Sequence, residues 1–432
     1  MESIYCATDN PVFAGKKLNL TPIRPAVCEH RPVYRPQDTL FCYTAWPTVC
    51  RDENGTLYAS SSAFATDHVC PFTKAAMYVS RTDGKTWSPP IVLVDSYISD
   101  GNGAVVYAGN GRLVLHWAYH PGDVLFNTYY NRIKGCMLGG EPDAMGKMVG
   151  AMLDMYPQLP AEKLVGGAFV KVSEDYGYTW SDPVRLPVAA PHGPAACKDG
   201  TLVLLGKEFY ADPSATLAPD AFSGKERITA STYSEYIDKV EVSRAGRECG
   251  VTPIYAYAST DGGYTWEKRG LCNKPDHIKW YHTSEPHVIE LEDGSLLGAV
   301  RVEDEGGYEN DYTLYTTRSY DGGRTWSSWK CSHIPGAPAH LMRHSSGVLI
   351  CSVGRRTKGD FGEYAFISED NGETWTKEYI INDLTPNGDL GYPSSVELDD
   401  GSILTVYYQR YLDPKTGEYD KLPCIQCTRW TL

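Results

Sequence analysis

The sequence predicts an all-β fold, a six-bladed β-propeller, and two features carry that prediction. The first is a repeated box, S-x-D-x-G-x-T-W, present at Ser173 to Trp180, Ser259 to Trp266, Ser319 to Trp326 and Ser368 to Trp375, with a worn copy from Ser80 to Trp87 that has Thr82 in the Asp place. The second is a series of tight turns: Asn54-Gly55, Asn110-Gly111, Asp199-Gly200, Asp293-Gly294, Ser346-Gly347 and Asp400-Gly401. An Asn-Gly or Asp-Gly pair ahead of an apolar run is a strong hairpin signal. Six such hairpins, five of them followed by a box, describe six four-stranded sheets. Radial repetition of such sheets is a propeller.

The box itself reads as turn chemistry. An Asp side chain can bond the backbone N–H groups of its own turn, and Gly supplies a positive φ. Thr and Trp then restart a strand, with Trp offering a large apolar face to a neighbouring sheet. The boxes therefore report architecture and do not hold the reactive groups.

Taken in order, residues 1–40 form a Pro- and Arg-rich lead-in, expected to pack outside the propeller and to lend an outer strand to the last sheet. The propeller is expected over 41–432, with blades near 41–94, 95–186, 187–271, 282–331, 337–381 and 391–432. Blade two carries an insertion, 121–167, in which Met145, Met148, Met152 and Met155 recur at helical spacing. That spacing predicts a partly helical insertion. It reads either as a helix packed on the blade or as a lid or subunit contact, since Met surfaces adapt to partners. A homo-oligomer formed through the insertion is the corresponding expectation.

A net charge of −14 and a pI near 5.3 disfavour non-specific binding to nucleic acid or an anionic membrane surface. The 31 Tyr and 10 Trp suit strands, and such residues also line carbohydrate sites. The 13 cysteines follow no framework spacing, and Cys424 and Cys427 point to opposite faces if they share a strand. With no apolar leader at the N-terminus, free thiols lead to the expectation of a reducing cytoplasm.

In a propeller the first strand of each blade lies near the axis, so residues ahead of each turn converge. Those positions hold Trp46, Asp100, His192, Glu285, His287, His340 and Tyr392. Blade ends and connections add Asp67, His68, Arg301, Arg355 and Arg356. Titratable groups converging on one concave spot define a candidate site, although each member alone reads equally well as a hydrogen-bonded structural residue.

These boxes, units and positions resemble the exo-sialidase (neuraminidase) family of glycoside hydrolases. The segment from Ser284-Glu285-Pro286-His287 through Asp293-Gly294 to Arg301 matches the family's Glu-strand-turn-Arg pattern. Gly391-Tyr392-Pro393-Ser394, ahead of Asp400-Gly401, matches the segment of its nucleophilic Tyr. The resemblance implies a retaining exo-glycosidase acting on a terminal sialic acid or related acidic sugar. Tyr392 is the implied nucleophile, Glu285 its general base and Asp67 the acid/base on the leaving oxygen. Arg301 with Arg355 or Arg356 would hold the substrate carboxylate. Trp46, Asp100, His192, His287 and His340 complete the expected substrate-binding set. No metal or other cofactor is implied. The chain departs from the family where an Arg-Ile-Pro-like motif should open blade one: it reads Ala45-Trp46-Pro47. One arginine of three is thereby lost. Two other readings remain at this stage. One is a propeller lyase or metal-assisted enzyme on acidic sugars, using His192, His287, His340 and Glu285. The other is a non-catalytic glycan-binding propeller.

Overall fold

Each repeated box closes a hairpin, and each Asn-Gly or Asp-Gly turn opens one. In the computed structural model, which describes residues 4–37, 39–66, 68, 70–119, 155, 158–160, 166–208, 252–303 and 311–432, these hairpins build six antiparallel sheets around one axis. Blade one runs Tyr43–Arg51, Leu57–Ala65, Lys74–Ser80 and Ile91–Val94 from the axis outwards. Blade two runs Gly101–Tyr107, Leu113–Tyr119, Gly167–Ser173 and Val184–Leu186. Blade three has a split inner strand, Val188–Ala189 and Ala195–Ala196, both paired with Leu202–Glu208, then Ile254–Ser259 and Glu267–Leu271. Blade four runs Thr283–Glu290, Leu296–Glu303, Tyr312–Ser319 and Lys330–Cys331, and blade five runs Ala339–Arg343, Leu349–Thr357, Asp360–Ser368 and Lys377–Asn382.

Blade six closes the ring. Its inner strands Gly391–Glu397, Ile403–Gln409 and Cys424–Trp430 come from the end of the chain. Its outer strand, Cys28–Tyr34, comes from the lead-in and pairs antiparallel with Cys424–Trp430. The first and last parts of the chain are thus hydrogen-bonded to each other, which leaves the ring without a seam.

Each interface between neighbouring blades carries its own apolar cluster. Val49 and Leu404 belong to the cluster between blades one and six, and Met77 and Leu115 to the one between one and two. Val114 and Leu204, Leu205 and Val300, Leu297 and Cys351, and Ile367 and Tyr407 serve the remaining interfaces in order. Burial of apolar area at about 25 cal/mol per Å² is what holds blade to blade.

The boxes behave as their chemistry dictates. In blade four the Ser319 hydroxyl donates to Asp321 Oδ1 at 2.8 Å and accepts the Gly323 N–H at 2.8 Å. Asp321 Oδ1 accepts the Thr325 N–H at 2.8 Å, and Trp326 Nε1 donates to the Gly323 carbonyl at 3.1 Å. In the worn copy, Thr82 takes over the Asp role, accepting the Thr86 N–H at 2.9 Å. No box residue lines the cavity beside Glu285 described below.

The boxes also set how closely blades approach. A Cβ on Gly270, in the outer strand of blade three, would lie 2.2 Å from the Arg324 carbonyl oxygen and 2.6 Å from that of Gly323, both in the blade-four box. Backbone cannot yield as a flexible side chain can. The helix expected in the insertion, with Met145, Met148 and Met152, lies outside the described residues.

Gly270→Ala is therefore expected to lower the unfolding free energy by about 1–3 kcal/mol, the range for overpacking. Denaturant midpoints of the two proteins check this, and an unchanged midpoint would show that blades three and four are not in this contact.

Candidate active site

The geometry of the site starts from a repeated break in the inner strands. The ladder shifts register between Ala45 and Thr48, Gly101 and Ala104, Ser284 and His287, and Gly391 and Ser394. Within each break one non-glycine residue takes a left-handed conformation: Trp46 (φ 56), Asn102 (φ 52), Glu285 (φ 48) and Tyr392 (φ 55). Each is followed by Pro or Gly, and the pairs Trp46/Gly55, Asn102/Gly111, Glu285/Gly294 and Tyr392/Gly401 share one spacing to the turn. Pro is tolerated there because the broken ladder asks for no N–H. A bulge re-aims the side chain it carries. The strain, roughly 1 kcal/mol or more at each residue, brings side chains from separate blades to one end of the axis.

Tyr392 and Glu285 meet there. The Tyr392 hydroxyl donates to Glu285 Oε1 in a short hydrogen bond. Glu285 Oε2 pairs with Arg301, whose other nitrogen bonds Glu303 Oε2 at 2.8 Å. Burial and the Glu285 charge push Tyr392 well above the usual phenol range, against the opposing pull of Arg301 and Arg356. Burial tends to raise Glu285, but Arg301, the Tyr392 hydrogen bond and Arg356 outweigh it and hold the carboxylate below its usual range. The resting pair is thus a neutral phenol facing an ionised carboxylate, with the proton placed for transfer between them.

The two candidate arginines of blade five separate. Arg356 donates to the Leu390 carbonyl through Nε at 3.0 Å and Nη2 at 2.7 Å, with its guanidinium 5.7 Å from the centre of the Tyr392 ring. Arg355 turns the other way, to the Pro335 carbonyl, Asp360 and Glu378, with distances of 3.0, 2.8 and 2.8 Å. Among the described residues no carboxylate lies within ion-pair distance of Arg356. Glu363 is wholly buried nearby, and burial drives it well above the usual carboxylate range, which favours its neutral form. Among the described residues Arg356 is therefore the cation of this site without an ion-pair partner, whereas Arg301 is held by two carboxylates.

The remaining expected residues fall into three groups. Trp46 stands edge-on to Tyr392, with ring centres 6.5 Å apart, and Ala45 beside it is fully buried. Asp100 lies off the pocket: it is fully buried, accepts from the Ser96 N–H at 2.6 Å and hydroxyl at 3.0 Å, and burial pushes it up to about 7. The residue that blade two presents at the bulge is Asn102, which the sequence reading passed over. Its signal was the shared spacing to the turn glycine. Asn102, Ala118, Ala190, Lys207, Ser284 and Glu285 line a cavity of about 170 Å³ beside the pair. Asp67 lies outside the described residues.

The three axial histidines form the third group. His192 packs against His287 and His340 with ring centres 5.6 and 5.2 Å apart, and His287 stacks on His340 at 4.8 Å. The His192 ring lies 6.3 Å from that of Tyr392. His287 Nδ1 accepts the Leu341 N–H at 3.0 Å, and His340 Nδ1 accepts the Ser395 N–H at 3.3 Å. Beyond them a cavity of about 430 Å³ extends toward the turn end of the axis. Among the described residues no group of His, Cys, Asp and Glu side chains is arranged to hold a metal ion.

A six-bladed ring with this pair at its axis defines a sialidase-like β-propeller. The chain belongs to the family of the BNR repeat-like domain, whose model matches residues 161–406. No curated protein matches it in sequence. Among solved structures it is similar to a protein of unknown function from Dyadobacter fermentans, with 19% identity, a TM-score of 0.65, and coverage of 95% of this chain and 99% of the other. The NanB sialidase of Streptococcus pneumoniae matches with 14% identity and a TM-score of 0.61, over 93% of this chain and 70% of that one. The α-L-arabinanase of Penicillium chrysogenum matches with 14% identity and a TM-score of 0.52, over 93% and 97%. At these identities the likeness is one of fold.

The buried histidines make stability pH-dependent. Burial lowers His116 and His287 to about 4, and His192 and His340 well below their usual range. The unfolded chain takes up these protons near pH 6.5, so the contribution is complete above that value and is lost as pH falls toward 4. His287→Gln should flatten this dependence. The drop in unfolding free energy from pH 7 to pH 4.5 should be smaller than in the parent by on the order of 2 kcal/mol, as read by denaturant titration. An equal drop in both proteins would show that His287 is not held neutral.

Proposed function

We propose that the protein is a retaining exo-glycosidase of the sialidase type, which removes a terminal sialic acid or related acidic sugar from a glycan. The observation that carries the reading is the hydrogen bond from Tyr392 to Glu285, from blades six and four. A phenol at its ordinary pKa is a weak nucleophile at neutral pH and needs a base in contact; Glu285 is ionised and already accepts its proton. A neutral nucleophile also avoids the repulsion that a carboxylate would meet beside an anionic substrate.

In this mechanism Tyr392 Oη attacks the anomeric carbon as its proton passes to Glu285, and the leaving oxygen takes a proton from Asp67, the acid/base that the resemblance implies. Water then attacks the anomeric carbon and gives a proton to Asp67 as the Tyr392–carbon bond breaks, and Glu285 returns its proton to Tyr392. The substrate carboxylate is assigned to Arg356, which among the described residues has no carboxylate within ion-pair distance. Arg301, pinned by Glu285 and Glu303, steadies the base and offers its remaining field to the substrate. With Ala45 in place of an arginine, the clamp is lighter than three free guanidinium groups would make it. That favours acidic sugars whose recognition rests partly on the ring face offered to Trp46.

A panel of 4-methylumbelliferyl sialosides and uronosides tests the reading. The protein is expected to turn over at least one of them. Tyr392→Phe should lower kcat by at least about 10³-fold and Glu285→Gln by about 10²–10⁴-fold, the range for a general base, both with the fold retained by circular dichroism. Turnover by Tyr392→Phe at the parent rate would overturn the mechanism.

A further inference from the structure

Two guanidinium groups of like charge meet between blades four and five, beside the Tyr392–Glu285 pair. Arg301 stands on the second strand of blade four, Leu296–Glu303, and Arg356 on the second strand of blade five, Leu349–Thr357. The third strand of blade four, Tyr312–Ser319, starts next to them. In its ladder Tyr312 lies opposite Glu303, and Leu314 opposite Arg301. Residues two apart on a strand share a face. Arg301, Glu303, Leu314 and Tyr312 therefore lie on one face of blade four, and Leu314 and Tyr312 join the apolar cluster shared with blade five. Tyr312 is the diagonal neighbour of Arg301, a separation that an aromatic ring can span.

The ring spans it. The Arg301 guanidinium lies 4.5 Å from the centre of the Tyr312 ring, and the Arg356 guanidinium 5.9 Å from the same centre. The face of a phenol ring is negative and attracts a guanidinium within about 6 Å. Among the described residues Tyr312 is the one ring within that distance of both cations. The two cations repel each other, and the Arg301 charge works against the protonated form of Arg356. A negative ring face between them offsets that repulsion.

The hydrogen bonds show which cation needs the ring for its direction. Arg301 is committed through Nη1 to Glu285 and through Nη2 to Glu303. Arg356 is tied through Nε and Nη2 to one acceptor, the Leu390 carbonyl, with a long contact from Nη2 to Tyr408 Oη at 3.5 Å. A planar group tied mainly to one oxygen can swing about it. The Tyr312 ring on one blade and the Tyr392 ring, 5.7 Å away on another, restrict that swing.

We propose that Tyr312 is a positioning residue for the substrate carboxylate: its ring face holds Arg356 beside Arg301 and so sets the preference for an acidic sugar over its neutral counterpart. The inference rests on the glycosidase reading, which takes the substrate carboxylate to Arg356. Tyr312 acts through Arg356 and takes no part in the bond changes at the anomeric carbon. Its removal is therefore felt in the binding of the acid.

The test is calorimetric titration with free N-acetylneuraminic acid and free glucuronic acid, each beside its carboxyl-reduced counterpart, which has a hydroxymethyl group in place of the carboxylate. The parent is expected to bind at least one acid more tightly than its reduced counterpart. Tyr312→Leu should weaken that acid by about 3–30-fold, the range of one cation–π contact, and leave the reduced sugar within about 2-fold. Tyr312→Phe, which keeps the ring face, should lose less than Tyr312→Leu. Tyr312→Met repeats the measurement if leucine disturbs the fold, as read by circular dichroism. No preference for either acid in the parent, an unchanged acid affinity in Tyr312→Leu, equal weakening of acid and reduced sugar in a folded variant, or a loss in Tyr312→Phe as large as in Tyr312→Leu would each overturn the assignment. Failure of the glycosidase reading is seen separately: Tyr392→Phe turning over the umbelliferyl panel at the parent rate removes the mechanism and leaves the binding preference to stand or fall on the titrations.

Discussion

The contact between Tyr392 and Glu285 is the constraint on which the structure depends. The two residues are far apart in sequence and sit on blades that are not neighbours, so their bond exists only when the ring is closed. Closure in turn depends on the antiparallel pairing of Cys28–Tyr34 with Cys424–Trp430. Apolar clusters at each interface then fix the blade spacing, and Gly270 lets blade three approach the box of blade four. The strained bulges at Trp46, Asn102, Glu285 and Tyr392 are affordable within that frame because the surrounding ladder determines them from both sides.

Electrostatics organise the centre once the geometry is set. Arg301 is shared by Glu285 and Glu303, whereas Arg356 bonds the Leu390 carbonyl and, among the described residues, has no carboxylate within ion-pair distance. The same two guanidinium groups oppose the rise in Tyr392 and depress Glu285. The pair is thereby held as a neutral phenol facing an ionised carboxylate. An overall charge of −14 coexists with this local arrangement, because charges a Debye length away are screened while buried partners are not.

Much of this was legible in the residues because it is local. The boxes and turns carry their own hydrogen bonds, so the hairpins, their order and the number of blades follow from short motifs. Glu285 and Tyr392 could be placed by their position ahead of the turns, and Arg301 by the resemblance to the sialidase pattern. What was not legible depends on direction. Adjacent Arg355 and Arg356 point to opposite faces of a strand, and spacing alone does not say which face meets the axis. Asp100 was expected among the converging residues and Asn102 was not, yet the bulge in blade two carries Asn102, which lines the cavity, and Asp100 is bonded to Ser96.

The central claim is that Tyr392 forms the covalent bond to sugar. Inactivation with a fluorinated glycosyl fluoride of the accepted acidic sugar, followed by peptide mass spectrometry, tests it most directly. The account predicts a single glycosyl adduct on the peptide that contains Tyr392, carried by that residue's phenolic oxygen. An adduct on Glu285 or another carboxylate, or none in a protein that turns the sugar over, would contradict it.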